Sequence, residues 1–199
     1  MIVELILSTP ENLIGEMSKI CYATKQIEDG GKDITSTIVH DFKHLASLRF
    51  AYATFHIEGV SVACQNQVVR SKHLDFMVQS KRYVTPEKGG FEFIMPDGLT
   101  HQQSTIMKLH WEDSIESYNA LLNIGVKKED ARAVLPANTS TKMNITGNLQ
   151  AFHSFFVLRL NKHAQTEIRN LANIMYKKLS EVYPNVFTDK MLEQLQNAK

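Results

Sequence analysis

The alternation of apolar and polar positions divides the chain into a β-like start, a run of amphipathic helices and a β-rich middle. Met1 to Leu7 alternate weakly and are β-prone, which predicts an opening strand. Thr9 stands where it can cap a helix with Pro10 in its first turn, a position that needs no N–H. Leu13, Ile14, Met17, Ile20 and Cys21 then fall on one helical face, to about Ala23. Asp29-Gly-Gly-Lys-Asp reads as a loop and Ile34 to Leu48 as a second helix. From Arg49 to about Cys64 aromatic and branched residues recur in a β pattern, with Gly59 as a bulge.

Beyond it, Gln67 to Tyr83 begins helically and ends in a loop; Tyr83, Val84 and the Phe91 to Met95 run suit further strands. Thr105 to Asn123 reads as a helix stopped by Gly125. Lys128 to Val134 is a shorter one closed at Pro136, and Ala137 to Lys142 a polar loop. The longest helix is expected from Asn148 to Val182, ended by Pro184. Its stripe is Leu149, Phe152, Phe156, Ile168, Leu171, Met175, Leu179 and Val182. Asp189 to Leu195 adds a terminal helix. Nothing reads as a linker, so residues 1–199 are expected to form one domain.

Composition narrows the class. With 43% hydrophobic and 22% charged residues the chain is of ordinary globular make-up. No apolar run approaches the ~20 residues of a membrane helix, and the opening segment is too short, and carries Glu4, for a signal peptide. Two cysteines without a CxxC pair point to reduced thiols in the cytoplasm and away from zinc. The histidines form no HExxH motif, and neither a Gly-rich phosphate loop nor a GxSxG elbow is present.

Charge adds one localised feature. The formal net charge is only +1, yet Arg70, Lys72, His73, Lys81 and Arg82 crowd into Gln67 to Tyr83. Such a concentration in a near-neutral chain points to a bound small anion rather than a nucleic-acid polymer, although exposed basic residues are the plainer reading. Arg132, in DARAVLP, likewise reads as a solvated residue on a short helix. Helical geometry places Arg159, and His163 a turn later, on the side of the apolar stripe. A buried guanidinium needs an anion or several acceptors, so Arg159 is either a structural ion pair or a ligand clamp. Phe76 and Met77 read as packing residues, and Cys64 as a buried, inert thiol on a strand.

Several blocks carry a family resemblance: SKICY at Ser18 to Tyr22, IEGVSVAxxxQVVR at Ile57 to Arg70, SKRY at Ser80 to Tyr83, ARAVLP at Ala131 to Pro136, and NLQAFHSFFVLRLNKHAQTEIR at Asn148 to Arg169. In this order they resemble the flavin-dependent thymidylate synthases. The resemblance implies an α+β fold with a mixed or antiparallel sheet and long core helices, assembled as a homotetramer with active sites between subunits. It implies transfer of a methylene from methylenetetrahydrofolate to dUMP, with FAD reduced by NADPH as hydride source and without attack by an enzyme cysteine.

Residue by residue, it implies that Gln67, Ser80, Lys81, Arg82 and Arg132 hold dUMP, with Ser80 and Arg82 on the phosphate. Arg159 would meet the pyrimidine and favour ionisation at N3, the catalytic role and the clamp of the two readings. Ser47, Arg70, Lys72 and Asn148 would lie on the flavin side. There the chain departs from its family: Arg70-Ser71-Lys72 stands for Arg-His-Arg, Met77-Val78 for Asn-Glu, Gln150 for an Arg, Ser154 for an Asn, and Arg49-Phe50 for Glu-His. These losses leave two alternatives open, a hydroxymethylase acting on dUMP or dCMP and a non-catalytic nucleotide-binding relative.

Overall fold

The computed structural model describes residues 1–22, 34–86 and 90–197; the loop expected at residues 29–33 lies outside them. In chain order the elements are β1 (Ile2–Ser8), α1 (Asn12–Lys19), β2 (Tyr52–Ser61), α2 (Val62–Val68), β3 (Asp75–Val78), α3 (His101–Asn123), α4 (Lys128–Ala131), β4 (Ser140–Asn148), α5 (Leu149–Arg159), α6 (Thr166–Val182) and α7 (Asp189–Gln196). The strands make one antiparallel sheet in the order β1-β2-β4-β3. With the helices this is an α+β fold.

Strand β4 is interior to the sheet, yet the sequence pattern puts its start in a loop and its end in a helix. Thr141, Met143, Ile145 and Gly147 are buried and Asn144 is exposed, a true period of two. Thr and Gly at inward positions make that alternation faint in hydropathy. Gly147 has a further reason to be small. A Cβ there would lie 2.6 Å from Leu74 Cδ2 and 3.3 Å from the His73 carbonyl, so glycine lets the turn after α2 lie on the sheet.

One face of the sheet carries the core. Phe55, Ile57, Met143 and Ile145 pack with side chains of α5, α6 and α7. Phe156 stands at the centre of the aromatic contacts, 5.2 Å from Tyr176 and 5.7 Å from Phe187 between ring centroids. The opposite face is polar along β2 and β4, while the flanking strands expose Ile2 and Leu7 on β1 and Met77 on β3, so Met77 is not the packing residue the sequence suggested. His56 bridges Asn144 (2.7 Å) and Glu58 (2.8 Å), and Lys142 reaches Glu58 at 2.7 Å. Hydrogen bonding to Glu58 and then Asn144 raises the His56 pKa, while Lys142 and His56 lower that of Glu58. Gly59 forms the expected bulge, with φ +70 and a register shift between Glu58 and Val60.

Several boundaries differ from the sequence pattern. The expected 148–182 helix is two, α5 and α6, broken at residues 160–165. Asn161 makes the break: its side chain accepts from His163 N (2.9 Å) and its carbonyl from Ala164 N (2.9 Å), a local turn that competes with the helix. Twelve residues separate Phe156 from Ile168, which is about 120° out of phase on a continuous helix, so the stripe itself carried the signal. His163 is consequently an exposed loop residue, not part of the stripe.

The expected helix from Ile34 to Leu48 is a π turn (Thr37–Asp41) and a 3-10 turn (Leu45–Phe50), separated by Lys43 at φ 55. Thr9 does not cap α1; its hydroxyl accepts from Tyr52 N at 2.9 Å, and the helix starts without a side-chain cap. Tightening to 3-10 geometry after Lys19 turns Ile20 and Cys21 outward. Helix α3 starts at His101 because Thr100 and Gln103 form a capping box. Tyr83 and Val84 lie in a turn, and the 91–95 run makes only a bridge, Phe93 to Thr139. Cys64 is buried as expected, but on α2 rather than a strand.

Candidate functional site

Helix α2 leaves the end of β2 and delivers the basic segment. Ser61 caps it, accepting from Cys64 N at 2.9 Å. The cap is itself held by Glu167 at the start of α6, whose carboxylate accepts from Ser61 N (2.7 Å) and Ser61 Oγ (2.6 Å). Burial, with Glu167 nearby, pushes the Cys64 thiol up to about 12, which removes it as a nucleophile.

At the far end of α2 the last carbonyls lack helical partners. Arg159, closing α5, donates from Nη2 to the Gln67 carbonyl at 2.7 Å. The Gln67 side chain donates in turn to the Gln165 side chain, which precedes α6. Arg159 is thus part-buried at a helix end, where a cation is favoured, instead of projecting from the middle of a core helix as the sequence pattern implied. Among the described residues its Nε is buried with no partner, and so is the Ser71 hydroxyl one turn beyond Gln67. Burial, followed by the charge of Arg70, lowers the Arg159 pKa. Two neighbouring guanidiniums and an unpartnered buried N–H form a corner rich in donors and short of acceptors, which suits an anionic, carbonyl-bearing ligand.

A second basic corner lies after β3. Gln79 N still pairs with the Lys142 carbonyl (2.9 Å), and the chain then turns, with Tyr83 N and Val84 N both bonded to the Ser80 carbonyl. Ser80 Oγ accepts from Arg82 N at 3.3 Å. The exposed Arg82 side chain sends Nε (2.9 Å) and Nη2 (2.6 Å) to Glu129 Oε2, while Arg132 donates from Nε to the Glu129 carbonyl at 3.0 Å. The two arginines are fifty residues apart in sequence and share one residue as their partner.

Lys81 departs from the expected grouping. It turns away from Arg82, packs 4.0 Å over the Phe91 ring and donates to the Ser140 carbonyl. Burial brings its amine down to about 8. Adjacent residues in a turn cannot all aim the same way, so Ser80 and Arg82 are grouped without it.

The flavin-side expectations separate similarly. Arg70 and Lys72 are exposed, and neither forms an ion pair among the described residues. Asn148 caps α5 by accepting from Ala151 N at 2.9 Å, and buried Ser47 donates to the His44 carbonyl at 2.6 Å. Two of the substituted positions meet: Arg49 Nε donates to Gln150 Oε1, linking the 3-10 turn to α5. Sequence spacing held no sign of that contact, nor of the part taken by Glu129. Gln165 and Glu167, by contrast, sit inside the HAQTEIR block. A cavity of about 470 Å³ borders Gln165 and Glu167 with Phe93 and Asp97, and none of the arginines line it; Arg70, Arg82 and Arg132 are exposed and Arg159 is part-buried.

The model of the thymidylate synthase complementing protein family matches residues 4–185. The flavin-dependent thymidylate synthase of Geobacter sulfurreducens is 33% identical over 189 residues, covering 90% of this chain and 82% of its own length. That of Clostridium tetani is 30% identical over 203 residues, with 89% and 81% covered. Thymidylate synthase X from Helicobacter pylori, solved with FAD and dUMP, shares the fold, with a TM-score of 0.81 at 20% identity over 96% of this chain and 98% of that one. Given that family match and a relative one-third identical across most of both chains, the chain belongs to the flavin-dependent thymidylate synthase family.

Proposed function

We propose that this chain, acting as one domain, converts dUMP to dTMP in the cytoplasm, taking its carbon from methylenetetrahydrofolate and its hydride from FAD reduced by NADPH. The observation that carries the reading is Arg159, held through one N–H by the Gln67 carbonyl while its Nε stays buried without a partner beside Arg70. A pyrimidine carbonyl with negative charge developing at N3 is the acceptor this corner lacks. A guanidinium already fixed in place stabilises that charge without reorganising. Gln67, whose amide is oriented by Gln165, lies beside the same ring. Ser80, Arg82 and Arg132 receive the phosphate, for which forked donors are suited.

The flavin side also suits its group. Arg70 and Lys72 offer exposed cations to the pyrophosphate, and the orphaned Ser71 hydroxyl offers a hydrogen bond. When bound, FAD supplies the hydride that completes the methyl group. With Cys64 buried and its thiol raised, the chain's own residues activate the pyrimidine electrostatically, not by thiolate attack.

Arg70, Arg82 and Arg132 are exposed, and water-excluding chemistry needs a cover. A homotetramer with sites shared between subunits supplies one. Exposed apolar side chains support that assembly: Ile106 (62%) and Leu109 (56%) on α3, and Ile6 (59%) and Leu7 (58%) on β1.

The test is the visible spectrum of the purified protein with and without added FAD, followed by turnover of dUMP with methylenetetrahydrofolate and NADPH and the mass of the product. A flavin spectrum with dTMP as product is expected. A product heavier by one oxygen would replace methylation with hydroxymethylation, and a protein that FAD titration leaves colourless would sink the reading.

A further inference from the structure

Glu129 has no place in the chemistry above, yet it holds both arginines of the phosphate corner. Its two contacts differ in kind. The Arg82 contact is made by the carboxylate, with Nε at 2.9 Å and Nη2 at 2.6 Å converging on the single atom Oε2. That is how one phosphate oxygen would sit in the same fork. The Arg132 contact is made by the backbone carbonyl, at 3.0 Å from Nε, and does not depend on the side chain's charge. The pair is also open to water, with side-chain exposures of 51% for Arg82 and 38% for Glu129. Exposed pairs of this sort are weak and readily exchanged.

We propose that the Glu129 carboxylate is an internal stand-in for the substrate phosphate, a specificity-determining residue that a dianion displaces from Arg82 and that neutral or weakly charged ligands do not. The inference rests on the reading of Arg82 as a phosphate ligand. A phosphate and a carboxylate cannot both occupy one guanidinium fork without strong like-charge repulsion. Binding therefore exchanges one anion for another, and the net gain at Arg82 is the excess of the phosphate's charge over the carboxylate's. A nucleoside without phosphate leaves the pair intact. The backbone carbonyl keeps Arg132 in place throughout, so the side chain sets a threshold for charge while the main chain keeps the second arginine ready.

The test is calorimetric titration of the full-length wild type, Glu129→Gln, Glu129→Ala and Arg82→Met with dUMP, deoxyuridine and inorganic phosphate. Removing the carboxylate's charge is expected to tighten dUMP and inorganic phosphate by about twofold to fivefold, the range that an exposed pair is worth. Deoxyuridine affinity should stay as it is, which a general change of structure would not allow. In turnover the change should fall on KM for dUMP rather than on kcat. The gain should shrink in concentrated salt, where the Debye length falls to about 3 Å at 1 M.

Weaker dUMP binding in both Glu129 variants would mean that the carboxylate preorganises Arg82, and unchanged binding that it is a bystander. Either result overturns the proposal, as does an equal change for deoxyuridine. Arg82→Met guards the underlying reading separately. If that variant binds dUMP as tightly as the wild type, Arg82 is not a phosphate ligand and both readings fail together. If it binds weakly while the Glu129 variants do not tighten, only the present one fails.

Discussion

Arg159→Met separates what this guanidinium does for the fold from what it does for a ligand. Its charged bond to the Gln67 carbonyl, at 2.7 Å, contributes about 1.5–3 kcal/mol. Against that stands the buried, unpartnered Nε, which costs about 1–3 kcal/mol. Burial and Arg70 both oppose the charge, as the lowered pKa records. The terms nearly cancel, so the variant should melt within about 3 °C of wild type, since 1 kcal/mol moves a domain of this size by ~2–4 °C.

Turnover should respond quite differently. Losing one preorganised donor to developing negative charge raises the barrier by about 2.7–4 kcal/mol, a hundredfold to thousandfold in kcat. Scanning calorimetry and steady-state dTMP formation, with kcat separated from KM, read the two effects independently. Two results would contradict this role of Arg159. A melting point lower by more than about 8 °C would show the guanidinium to be a structural tie whose burial is well compensated. A kcat within about threefold of wild type would show that no charge develops against it.

Glu167→Ala removes both acceptors of the Ser61 cap and should cost about 3–5 kcal/mol, read as a lower urea midpoint with Gln recovering part of the loss; an unchanged midpoint would rule out the tie between α2 and α6. Lys81 has a folded pKa of about 8, below its unfolded value. The unfolded chain therefore binds more protons between about pH 8 and 10.4, and this residue's burial penalty is fully felt below pH 8 and fades as pH rises. Thermal melts should accordingly show Lys81→Met gaining on wild type more at pH 7 than at pH 10, and a gain that grows with pH would contradict that sign. Leu109→Asp places a charge on the exposed face of α3 and should shift light-scattering mass toward smaller species, with no shift expected only if α3 lies outside any interface.

The helical part of the fold was largely legible, because amphipathic stripes report burial directly. Leu149, Phe152 and Phe156 on α5 and Ile168, Leu171, Met175 and Leu179 on α6 are buried as expected, whereas Val182, the last residue of the expected stripe, is exposed at the end of α6. The central strand was not, because β4 lies among Thr, Asn and Gly and owes its place to pairing with β2 and β3, which are distant in sequence. The helix break had a local cause in Asn161, a residue that ends helices by side-chain competition without the conspicuous marks of Gly or Pro. Site residues followed the same division. The matched blocks pointed to Gln67, Ser80, Lys81, Arg82, Arg132 and Arg159, but they held no sign that Lys81 packs on Phe91 and bonds to Ser140, and no role for Glu129, Gln165 or the Arg49–Gln150 contact.

By itself, then, the sequence determined the family, the basic segment from Gln67 to Tyr83 and the apolar stripes, since each is written in residues close together along the chain. Only the tertiary structure decided which charges meet. It seats Arg159 on the end of α2, turns Lys81 onto Phe91 and brings Arg82 and Arg132 to one glutamate. The physical reason is that a polar side chain's state depends on the acceptors, charges and water around it. The fold sets those by joining segments that local spacing cannot relate.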